Sequence, residues 1–66
     1  MTELEFARAE RLKHHRNHET LMCREIARYE ALARFRGLDA HEQAALDLCW
    51  THLAETWDAI SRLSAR

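Results

Sequence analysis

Between Ala40 and Ser64 apolar residues return every three to four positions. At about 100° per residue, Ala45, Cys49, Leu53, Thr56, Ile60 and Leu63 share a face with Leu46, Trp50 and Trp57, and the arc they fill spans about 140°. Asp47, Glu55, Asp58 and Arg62 fall opposite. The period is that of an amphipathic helix. A single neighbouring helix needs a narrower stripe than this one. The surplus, led by two tryptophans spaced i, i+7, calls for a second packing partner.

The preceding segment is helical in pattern but less regular. Leu21, Met22, Ile26, Tyr29, Leu32 and Ala33 mark one side of its second half, interrupted by Glu25 and Arg28, with Phe35 elsewhere. Leu4, Ala7 and Leu12 mark its first half, with Phe6 and Ala9 to the side. Between the halves lies KHHRNHET, residues 13–20, without one apolar side chain. Histidine and asparagine are mediocre helix formers, so a break or kink near residues 14–18 would cost little.

The ends of the two segments carry stop and start signals. Gly37 suits the position where a left-handed residue ends a helix, and Leu38 then packs back on Leu32 or Ala33. Asp39 follows as an N-cap, with Glu42 three residues on to complete a capping box; Thr2 and Glu5 repeat the arrangement at the first helix. One helix stops and the next starts within about two residues, which forces antiparallel neighbours. The expected architecture is one all-α domain, residues 1–66: helix 1 about 3–36, turn 37–39, helix 2 about 40–64. Helix 1 would be ~50 Å long at the usual rise per residue.

Size and composition narrow the function more than they specify it. The 66 residues are 47% hydrophobic, too apolar for a disordered tail, and hold no proline and a single glycine. A single core below 70–80 residues rarely supplies more than ~3–5 kcal/mol, and two helices make half a core. The hairpin is therefore expected to associate, as a homodimeric four-helix bundle or on a different protein. No run approaches a membrane span, and acidic residues occupy the place of a signal peptide's basic region. A cytoplasmic protein is expected, without membrane contact. Net charge is −1, with residues 1–37 at +2 and residues 38–66 at −3.

Candidate chemistry is sparse. No Gly-rich loop or Ser-His-Asp arrangement is present, so no catalytic residue, enzyme activity or cofactor is expected. Cys23 and Cys49 lie outside any CxxC and read as small hydrophobes. His14 and His18, at i, i+4, with Asp58 across the hairpin, are the set that could hold zinc, but Arg62 would crowd it, and no metal is expected. The solvated-face reading of residues 13–20 stands beside that one, as does a proton switch. Nucleic-acid binding would fall to Arg8, Arg11, Lys13 and Arg16, which scatter round the helix where a phosphate-tracking stripe would align. Tryptophan dominates protein interfaces, so the expected partner-binding residues are Leu46, Cys49, Trp50, Leu53, Trp57 and Ile60, facing a protein partner or a second copy.

Two resemblances bear on these alternatives. The opening MTELE, the turn RGLDA at Arg36–Ala40 and the ending AISRL resemble the YscE-type co-chaperones of type III secretion. That likeness implies a cytosolic hairpin docked on a TPR-like chaperone through Leu46, Trp50, Leu53, Trp57 and Ile60, the pair keeping a needle subunit soluble. LDAHEQA, Leu38–Ala44, is similar to the interhelical turn of the Rop-type RNA-binding proteins of plasmid copy-number control. It implies a homodimeric four-helix bundle that binds paired RNA loops through its first helices. A third expectation, without a signature, is a small inhibitor of a larger complex.

Overall fold

A computed structural model describes residues 2–65 as two antiparallel α-helices, α1 (Glu3–Arg36) and α2 (Ala40–Ser64). Met1 and Arg66, included in the single domain read from the sequence, lie outside the described residues. The hairpin is a rod of 51 × 16 × 14 Å with a radius of gyration of 15.3 Å. No helix among the described residues is long and apolar enough to cross a membrane.

Both helices start as their sequences dictate. The Thr2 side chain accepts from the Glu5 N–H at 3.1 Å, and the Thr2 N–H donates back to the Glu5 carboxylate. The Asp39 carboxylate accepts from the Glu42 N–H at 2.7 Å, and the Asp39 N–H donates to Glu42 at 3.2 Å. Each box satisfies two backbone donors that a helix start leaves unpaired.

The turn differs in detail from the expectation. Gly37 has φ 80° but ψ 164°, an extended conformation at positive φ rather than the left-handed helical one. That region belongs essentially to glycine. The Gly37 N–H still closes α1 on the Ala33 carbonyl at 3.1 Å. The open ψ carries the chain straight into the Asp39 cap, and Leu38 folds back on the core. Arg36 clamps the corner with two guanidinium bonds to the Glu42 carboxylate, at 2.9 and 2.6 Å.

The break that the sequence left open near residues 14–18 is absent: α1 runs unbroken through the histidines. Each poor helix former there costs only a few tenths of a kcal/mol, whereas a break forfeits intrahelical hydrogen bonds and a second nucleation. The segment is also partly covered, since His15, His18 and Glu19 are half-buried under α2.

The core is small. Ile26, Leu46 and Leu53 are its buried hydrophobics, with Met22, Tyr29, Leu38 and Cys49 packed around them. Thr56 extends the buried line toward the open end, its hydroxyl satisfied by the His52 carbonyl at 2.8 Å. With 34 residues against 25, α1 overruns α2, and Leu4 and Phe6 stand exposed on the overhang.

Candidate association surface

The seam between the helices has two different sides. On one, the His18 ring lies 6.3 Å from the His52 ring. On the other, the Trp57 indole N–H donates to the Glu19 carboxylate at 2.6 Å. Helix geometry at 100° per residue extends each side along the rod.

The tryptophan side is the more apolar. Trp50 is 45% exposed and Trp57 47%, two turns apart on α2, with exposed Ala54 between them. The same side of α1 presents Thr20, Cys23 and Ala27, all exposed and uncharged, at i, i+3 and i+7. Two large aromatic plates therefore stand beside a shallow strip of small side chains. Lys13 and Arg16 bound this patch toward the open end, and Glu30 and Arg34 bound it toward the turn. The Glu19 hydrogen bond fixes the Trp57 ring without hiding it.

The histidine side is polar. His14, His15 and His18 of α1 line an open groove of about 260 Å³ with Glu55 and Thr56 of α2. The expected partners of His14 and His18 are not there. Asp58 turns away and pairs with Arg62 of its own helix at 2.8 Å. The group that meets His18 is His52. Among the described residues no three His, Cys, Asp or Glu side chains are grouped to hold a metal ion.

The expected partner-binding residues divide. Leu46 and Leu53, 8% and 2% exposed, lie in the hairpin's own core, so α1 already covers them. Cys49 and Ile60 are half-buried at its margin. Trp50 and Trp57 alone of the six remain free for a partner. Sequence reasoning missed the α1 half of the surface, Thr20, Cys23 and Ala27, although their heptad-like spacing was in view. Small neutral residues give no hydrophobic signal until their neighbours across the hairpin are known.

Arg8, Arg11, Lys13 and Arg16 are all exposed, and none is in an ion pair among the described residues. They spread around α1 and form no stripe. Cys23 is exposed and Cys49 half-buried, both as free thiols. No known protein family matches the chain, and neither does any curated protein or solved structure.

Proposed function

We propose that the hairpin is a non-enzymatic protein–protein interaction module that works by docking its tryptophan side. The observation that carries this is the pair Trp50 and Trp57, half-exposed two turns apart, with Trp57 held by Glu19. Tryptophan is the residue most enriched where binding energy concentrates, and a ring fixed before binding loses less entropy on contact. Two rigid anchors at i, i+7 form the motif by which a helix lies along another helical surface. An adaptor or cytoplasmic co-chaperone, as the YscE-type likeness implies, is the form of module this surface fits.

Site-specific photocrosslinking in the producing cell tests the reading. A photoreactive residue in place of Ala54, between the tryptophans, is expected to give one dominant protein adduct. The same residue in place of Leu21, exposed on the opposite side of α1, is expected to give none. Equal labelling at both positions, or none at position 54, rejects the module.

Arg8, Arg11, Lys13 and Arg16, none of them ion-paired among the described residues, favour a second reading, in which RNA loops bind across the first helices. That reading requires affinity for paired RNA loops that falls steeply with added salt. Salt-independent or absent binding removes it.

A further inference from the structure

We infer that the occupant of the tryptophan side is a second copy of this chain, related by a two-fold axis parallel to the helices. The inference rests on the binding-module reading and names its partner. Three observations carry it.

The first is area. A compact folded monomer of 7.8 kDa exposes about 4,400 Å². This hairpin exposes 5318 Å². The surplus, about 900 Å², matches the ~800 Å² that one partner contributes to a standard interface. The same surplus appears in the shape: a radius of gyration of 15.3 Å compares with about 11 Å for a compact chain of this length.

The second is complementarity within one face. The Trp57–Glu19 bond sets the level of α2 against α1. An axis parallel to the helices preserves that level while exchanging α1 and α2 across the interface. Trp57 of one copy then stands over Thr20 of the other. Trp50, two turns along α2, stands over Cys23 and Ala27. Each aromatic plate meets a strip of small side chains, and the same contact repeats in reverse, as an isologous interface requires. The helices facing each other across the new interface run antiparallel, as they do within the hairpin, giving a four-helix bundle.

The third is charge. The centre of the face, made of Thr20, Cys23, Ala27, Trp50, Ala54 and Trp57, has one charged group beside it, the half-buried Glu19 carboxylate, which is already bonded to the Trp57 indole. The other ionic residues of this side, Lys13, Arg16, Glu30 and Arg34, lie at its two ends, where water can reach them. An interface core depleted of charge and rimmed by it is the usual anatomy.

Sedimentation equilibrium with circular dichroism on the intact chain tests the inference. Wild type is expected at twice 7.8 kDa. On dilution, helicity and dimer fraction should fall together. Ala27→Glu places a charge in the centre of the face at a position exposed in the hairpin, and glutamate is a good helix former. It is expected to raise the dimer dissociation constant about a hundredfold or more. Leu21→Glu, exposed on the opposite side of α1, should leave it unchanged. Thiol alkylation gives an independent measure: Cys23 should be protected in the wild-type dimer and react freely in Ala27→Glu. A wild type that stays monomeric and fully helical overturns the inference, and so does a dimer that Ala27→Glu does not weaken. In either case a heterologous adduct at position 54 would leave the interaction module standing with a different occupant, whereas loss of that adduct as well would remove both.

Discussion

The indole N–H of Trp57 donates to the carboxylate of Glu19 at 2.6 Å, joining the two helices across 38 residues of sequence. Among the described residues it is the side-chain hydrogen bond that spans the seam away from the turn. It ties an exposed anchor of the proposed interface to the hairpin's own packing.

Glu19→Ala should therefore act on two levels. In the hairpin, an exposed charged hydrogen bond contributes only about 0.5–1 kcal/mol, so the midpoint of urea unfolding should fall slightly. At the association surface the effect should be larger in relative terms, because Trp57 loses its fixed orientation. Time-resolved anisotropy of the tryptophan emission should show a faster local component in Glu19→Ala. Glu19→Gln, which keeps an acceptor oxygen, should restore most of the slow component. Unchanged anisotropy in both variants would mean that the bond does not order the ring.

Leu53 is the most buried side chain, 2% exposed, in a core of three buried hydrophobics. Leu53→Ala should cost about 2–5 kcal/mol. That is comparable to all the stability a core this small supplies. Helicity at 25 °C should therefore be largely lost. By contrast, truncating Phe35, 86% exposed, should leave the unfolding curve within about 0.5 kcal/mol of wild type. Equal effects of the two substitutions would place the core elsewhere.

The helices, their two capping boxes and the short antiparallel connection were legible in the sequence because each rests on local chemistry. Thr2 with Glu5 and Asp39 with Glu42 need only a few residues to specify them. What the sequence concealed depends on the other helix. Leu46 and Trp50 lie on one apolar arc, and only the placement of α1 shows that the first is covered and the second left open. Residues 14–18 left a break open for a related reason. Propensity marks His14 and Asn17 as weak, but it does not register the helix already running on both sides of them. Asp58 was matched to His18 by counting across the hairpin; its nearer cation, Arg62, lies one turn away on the same helix.

Gly37 separates backbone strain from steric space. A Cβ built there would meet nothing within 4 Å, yet the residue sits at φ 80°. Gly37→Ala should thus destabilise through conformation alone, by roughly 1–3 kcal/mol. Gly37→Asn should be no milder, since asparagine tolerates the left-handed helical region and the observed ψ of 164° lies outside it. Chemical denaturation of the three proteins checks the order. An alanine variant as stable as wild type would show that the turn relaxes to an ordinary conformation at no cost.

The Arg36–Glu42 clamp makes the turn sensitive to acid. The Arg36 guanidinium, aided by the Asp39 N–H, holds the Glu42 carboxyl down at about 2. In the unfolded chain a glutamate titrates near 4.3. The folded state therefore favours the ionised form. Its contribution is complete above the unfolded value and disappears as pH falls from there through about 2. The informative quantity is the difference between two proteins. Arg36→Ala should be less stable than wild type at pH 6, and the gap should narrow steadily between pH 5 and pH 2. A residual gap should persist at pH 2, because Arg36 also donates to the Gly37 carbonyl at 3.0 Å, and that bond does not titrate. Added salt should narrow the gap at pH 6, since the pair is partly open to solvent. A gap that is constant with pH would show that the guanidinium acts on the carbonyl and not on the carboxylate.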